Sequence, residues 1–145
     1  MKSTHRFQIK APIESIYYKV LCAEGWLSFV PGYRDLESGD PNWPDEGSSI
    51  IVRFGLGPWS ARFKVSVVQH ERGRRFRTHE EAFSGLYIDD VEVTVQEEDE
   101  MTEITFIRDV TSRSFPIGIL LLLTFPLRWI TAWYVARKIK AMVEI

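Results

Sequence analysis

Phe115-Pro116-Ile117-Gly118-Ile119-Leu120-Leu121-Leu122-Leu123-Thr124-Phe125-Pro126, running on as Leu127-Arg128-Trp129-Ile130-Thr131-Ala132-Trp133-Tyr134-Val135-Ala136, is the stretch on which the fold turns. A membrane-spanning helix needs about 20 mostly apolar residues. This segment has that length, and Arg137, Lys138 and Lys140 follow it as a positive flank. Three features oppose the membrane reading. Arg128 falls near the middle, where a charge costs about 2.5–3.5 kcal/mol even on the lenient insertion scale. Pro126 lacks an amide hydrogen and would free the carbonyl of Leu122 within lipid. From Thr124 onward the helix is also two-sided at about 100° per residue. Thr124, Arg128, Thr131 and Lys138 fall on one side, and Leu122, Phe125, Trp129, Trp133 and Ala136 on the other. A helix with one apolar stripe packs on a core.

The preceding segments supply the surface for it to cover. Phe7, Ile9 and Ala11 alternate with polar neighbours as in a half-buried strand. Pro12 opens a helix, with Glu14 in its first turn and Ile13, Ile16, Tyr17, Val20 and Leu21 on one face. Gly25 breaks it, and Trp26 to Val30 reads as a second short helix stopped by Pro31-Gly32. Strands follow at Tyr33 to Glu37, Ser49 to Phe54, Trp59 to Val67, Arg75 to Glu81, around Val91, Val93 and Val95, and around Ile104, Phe106, Arg108 and Val110. Turn signals separate them, among them Gly55-Leu56-Gly57-Pro58, the Gly73 hairpin and Ser84-Gly85.

This order predicts an α+β protein. About six to seven antiparallel strands form a meander that must curl, and its apolar face needs a cover. The long C-terminal helix is that cover, the two short helices support one end, and a cavity lies between helix and sheet. No repeat, linker or low-complexity tract divides the chain, so residues 1–145 are read as one domain.

Particular residues carry a resemblance at this point. Ile9-Lys10-Ala11-Pro12-Ile13-Glu14-Ser15-Ile16-Tyr17 looks like the strand, Ala-Pro and helix entry of the START-like (SRPBCC) helix-grip superfamily. Trp26-Leu27-Ser28-Phe29-Val30-Pro31-Gly32-Tyr33 resembles its second helix and Pro-Gly exit, and Met101-Thr102-Glu103-Ile104-Thr105-Phe106 its penultimate strand. The nearest group is that of polyketide cyclases, dehydrases and lipid-transport proteins, coenzyme-Q-binding proteins included. The resemblance covers essentially the whole chain and implies a cavity for a lipid, isoprenoid, polyketide or other apolar ligand. The family has no universal catalytic motif to carry over. The chain departs from it in the last helix, where Ile117 to Phe125 is apolar almost all round and Pro126 introduces a break.

The expected ligand-binding wall comprises Trp26, Phe29, Phe54, Phe63, Phe76, Phe106, Arg108, Leu122, Phe125, Trp129 and Trp133. Arg108 alternates with Ile104, Phe106 and Val110, so it points towards the helix. A buried charge needs a partner, and Asp89 has the parity to supply one from the adjacent strand. The pair is read either as a structural ion pair or as an anchor for a ligand carboxylate or phenolate. Thr78 and Glu80 are in phase with Phe76 and could reach the same cavity.

His5, His70 and His79 lack metal-ligand spacing, and no nucleophile elbow, phosphate loop or Cys cluster is present. No metal or cofactor is expected, and no catalytic residue is assigned. Cys22 is expected to be a small buried apolar residue.

Three functions follow as alternatives. The first is carriage or sensing of a small hydrophobic ligand. The second is a cyclase or dehydratase acting on a polyketide-like chain, which would need Arg108, Glu80 or Tyr87 at a common point. The third is membrane or protein docking through residues 117–125. A net charge of −2 gives no general attraction to nucleic acid. The expected partner is the small ligand. Transient membrane contact or a homodimer would use the apolar segment. The chain begins without a secretory apolar region, so a cytoplasmic location is expected, with the membrane surface as the alternative site.

Overall fold

The computed structural model describes residues 1–124 and 128–144, the side chains at 56, 121, 124, 128 and 129 excepted. Its elements are β1 (Lys2–Ile9), α1 (Ile13–Val20), β2 (Tyr33–Gly39), β3 (Ser49–Leu56), β4 (Trp59–Glu71), β5 (Arg75–Ala82), β6 (Tyr87–Glu98), β7 (Met101–Ser112), α2 (Phe115–Thr124) and α3 (Arg128–Val143). Seven strands form one sheet in the order β1-β7-β6-β5-β4-β3-β2, with every neighbouring pair antiparallel. Thus β2 to β7 are a meander, and β1 adds to its far edge beside β7, with Phe7 opposite Ile104. Irregularities in β2 and in β4, between Val67 and Gln69, increase the local twist and help the sheet to curl.

The inward faces follow the alternation read from the sequence. Val65 and Val67 on β4, Phe76, Thr78 and Glu80 on β5, and Asp89, Val91 and Val93 on β6 are all buried. Trp26 anchors one end of the core, edge-on to Phe76 at 5.0 Å between ring centroids and tilted against Trp43. Pro12 stands at the N-cap position of α1 without a side-chain capping bond, and Ile16, Tyr17 and Val20 of the helix are buried. Ile139 and Val143 of α3 complete this core.

The second short helix is realised as consecutive turns over residues 23–29. Gly25 sits so close to the end of α1 that a Cβ on it would lie 2.3 Å from the Lys19 carbonyl oxygen. Leu27 then takes a positive φ of 68°, which interrupts any regular helix. These turns expose Cys22, contrary to the expectation that it is buried.

The rotation of α3 differs from the sequence expectation. Thr131, Ala132 and Val135 line the cavity beneath it, while Trp133 is 61% exposed. Ala132, Val135, Ile139 and Val143 form a second helical stripe in the same segment. Tertiary ties at the C-terminal end decide between the two stripes. Lys19 Nζ donates to the Met142 carbonyl at 2.9 Å, and the Lys10 amide donates to Glu144 Oε1 at 2.9 Å. Among the described residues no helix is long and apolar enough to cross a membrane.

Candidate functional site

The sheet and α3 enclose a cavity of about 270 Å³. Small side chains on α3 leave this space open, because Thr131, Ala132 and Val135 stand where bulkier residues would fill it. Its walls are mainly aromatic. Phe54 on β3, Phe63 on β4 and Tyr87 on β6 make successive edge contacts, at 5.2 and 5.5 Å between centroids. Phe7 on β1 stacks on Phe106 on β7 at 5.8 Å. Aromatic pairs of this kind stabilise beyond the area they bury.

One part of the wall is polar. Glu80 on β5 lies directly opposite Asp89 on β6, and Arg108 on β7 lies opposite Val91, two residues further along β6. Arg108 Nε donates to Asp89 Oδ2 at 3.0 Å, and Nη2 donates to the same oxygen. The Tyr87 hydroxyl donates to it at 3.4 Å. These three bonds converge on Oδ2. Asp89 Oδ1 and Glu80 Oε1 are buried without a hydrogen-bond partner among the described residues.

Electrostatics follow from this arrangement. Burial, then the Asp89 charge, pushes the Glu80 carboxyl up to about 8, with Arg108 opposing the rise. Burial alone would depress the Arg108 guanidinium. The charge and hydrogen bond of Asp89, with Tyr87 and Glu80 nearby, outweigh it and raise the pKa. The cavity therefore holds an ion pair, Asp89 with Arg108, beside a carboxyl that favours its neutral form.

Of the residues read from sequence as the binding wall, Trp26, Phe29, Phe54, Phe63, Phe106 and Arg108 line this cavity. Phe76 lies deeper, beside a separate space of about 30 Å³ under α1. Its ring packs against Trp26, Trp43 and His70, so it belongs to the core. Leu122 and Trp133 point outward, 66% and 61% exposed. Phe125 and the break at Pro126 lie outside the described residues, as does the Trp129 side chain. The sequence reading missed His5 and Phe7 on β1. Phe7 has a detectable signal, since it shares the inward parity of Ile9. His5 shares that parity too, but a single histidine without metal-ligand spacing carries no signal of its own. His79 lies on the outer face between Asp90 and Glu81, at 2.7 and 2.8 Å. No group of three His, Cys, Asp or Glu side chains among the described residues could hold a metal ion.

No family model matches the sequence, and no curated protein sequence matches it. Solved structures do resemble it. A protein from Chromobacterium violaceum superposes with a TM-score of 0.75 at 14% identity, over 99% of this chain and 97% of the other. A START superfamily protein from Mycobacterium smegmatis superposes with a TM-score of 0.72 at 13% identity, over 99% and 97%. A protein from the dynemicin biosynthetic locus gives 0.65 at 16% identity, over 97% of this chain and 46% of that one. At such identities the likeness is one of fold. The chain has the START-like helix-grip fold: a curved antiparallel sheet around a C-terminal helix.

Proposed function

We propose that this protein binds a small hydrophobic ligand, of lipid, isoprenoid or polyketide-like character, and acts as its carrier or sensor. The cavity of about 270 Å³ carries this reading. Small-molecule sites are typically clefts of about 300–1,000 Å³, mostly apolar with a few placed polar groups. This cavity falls just below the lower end of that range and has the same division of surfaces. Trp26, Phe29, Phe54, Phe63 and Phe106 are its apolar contacts, and Arg108 with Asp89 and Glu80 its polar end. Purification without detergent, followed by native mass spectrometry and lipid extraction, tests the reading. A retained apolar molecule is the expected result. A protein that is empty and also fails to take up 1-methylnaphthalene overturns it.

A second reading is a cyclase or dehydratase acting on a polyketide-like substrate. It is favoured by Glu80, Tyr87 and Arg108 sharing one cavity wall, where Glu80 and Tyr87 could exchange protons with an enolisable chain and the Arg108 guanidinium could stabilise the enolate. The structural neighbour from a biosynthetic locus points the same way. Incubation with a synthetic poly-ketone and mass analysis of the product tests it. Turnover that survives in a Glu80→Leu, Tyr87→Phe, Arg108→Leu triple variant counts against this site.

A third element supports loading from a membrane surface. Phe115, Leu120, Leu122 and Leu123 on α2 are 65–81% exposed, and on α3 Ile130 and Trp133 are 65% and 61% exposed. Arg137 lies over the Trp133 ring at 5.2 Å, and Lys138 lies over Tyr134 at 5.5 Å. Exposed apolar groups rimmed by aromatics and cations suit the interface of an anionic bilayer.

A further inference from the structure

The polar end of the cavity has an unequal stock of donors and acceptors. Among the described residues the hydrogen bonds to the Asp89 carboxylate fall on Oδ2, leaving Oδ1 buried and unpartnered, and Glu80 Oε1 is in the same condition. Asp89 is 2% exposed and Glu80 5% exposed, so bulk water does not satisfy them. A buried polar atom left unpaired is costly, and the cost is relieved by whatever supplies the missing donor. Among the described residues the cation of this cluster is Arg108, and it is already paired with Asp89. A carboxylate ligand would bring further acceptors and an unbalanced charge to a place already short of donors. A hydroxyl brings one donor, no charge, and an acceptor that a protonated Glu80 can use. The other titratable residues of the wall, among those described, are His5 on β1 and Tyr87 on β6.

We propose that the Glu80–Asp89–Arg108 cluster selects an uncharged hydroxyl group (an alcohol, phenol or enol) on an otherwise apolar ligand, and rejects the corresponding carboxylate. This inference rests on the cavity being a site for apolar ligands. It goes further by naming the functional group recognised, and it sets aside the alternative in which Arg108 anchors a ligand anion.

Three probes of similar shape separate the two claims at neutral pH: 1-naphthol, 1-naphthoate and 1-methylnaphthalene. Binding is read by isothermal titration calorimetry and by quenching of tryptophan fluorescence. The expected order places 1-naphthol about tenfold tighter than 1-methylnaphthalene, a gain of about 1.4 kcal/mol, with 1-naphthoate weakest. Glu80→Leu should bring 1-naphthol to within about threefold of 1-methylnaphthalene, as expected when one hydrogen bond of modest net worth is lost. Glu80→Gln keeps a donor and an acceptor at the same place and should retain the preference, even if the leucine variant fails to fold. Asp89→Asn frees the Arg108 charge and should turn the preference towards 1-naphthoate. If 1-naphthol binds no better than 1-methylnaphthalene, or 1-naphthoate binds as tightly in the unmodified protein, the hydroxyl assignment fails while the cavity reading stands. If none of the three binds, the cavity reading fails and the assignment with it.

Discussion

Arg108 and Asp89 meet diagonally across β7 and β6, with Arg108 Nε 3.0 Å from Asp89 Oδ2. The carboxylate is 2% exposed, whereas the arginine side chain keeps 35% of its surface in contact with solvent or cavity. The cost of breaking the pair therefore falls chiefly on Asp89. Arg108→Leu strands a buried carboxylate, and removing one partner of a buried pair costs ~3–5 kcal/mol. The lower end of that range is expected here because of the arginine's exposure. The double variant Arg108→Leu/Asp89→Leu should recover most of the loss. Urea unfolding of the wild type, both singles and the double checks this. A double variant as unstable as Arg108→Leu would show that the pair is not the source of the effect.

Glu80 makes stability depend on pH. Its folded-state pKa is raised from 4.5 to about 8, so the folded state holds a proton that the unfolded chain releases. Where the folded state binds more protons, stability falls as pH rises. The Glu80 contribution is fully present below about 4.5 and is lost as pH rises through about 8. Denaturation midpoints across that window should decline in the wild type and stay flatter in Glu80→Gln. Parallel profiles would mean that Glu80 is ionised in the folded protein.

Gly25 is required by space. A Cβ there would lie 2.3 Å from a backbone oxygen, which cannot swing aside as a side-chain tip can. Gly25→Ala should destabilise by about 1–3 kcal/mol, the usual cost of overpacking. A midpoint unchanged in thermal unfolding would imply that α1 ends differently.

Ala132→Phe should fill the cavity from the helix side. The space above Ala132 already borders Phe54, Phe63 and Phe106, so the new ring gains apolar contacts there. The expected outcome is retained or increased thermal stability with loss of 1-methylnaphthalene binding. Binding that persists unchanged would move the ligand site away from this cavity.

The apolar flank of α2 should bring the protein to anionic liposomes in flotation assays. Leu120 and Leu123 are 65% and 72% exposed, so Leu120→Glu/Leu123→Glu should abolish flotation with little change in folding. Flotation unaffected by the double change would place the contact elsewhere. A concentration-dependent dimer without flotation would assign the face to a second copy of the chain.

Much of the sheet was legible residue by residue. Side chains in a strand alternate with a period of two, so Val65, Phe76, Val91 and Ile104 declare their inward face locally. The same parity paired Arg108 with Asp89 before any tertiary information, because a charge among inward-facing apolar residues requires a partner. That the expected second short helix resolves into turns was not legible, because the crowding of Gly25 against Lys19 is a contact and leaves no periodic mark.

The sequence by itself determined the alternating strands, the turns between them, α1 and the polar insertion at Arg108, all of which depend on short-range pattern. Only the tertiary structure decided which stripe of α3 faces the sheet, since the segment carries two apolar stripes of similar spacing. Docking through Lys19, Met142, Lys10 and Glu144 set its rotation, turned Trp133 outward and placed the small residues Thr131 and Ala132 over the cavity. The donor deficit at Glu80 and Asp89 was likewise invisible in sequence. It depends on which oxygen each neighbour reaches, and that is fixed by three-dimensional packing.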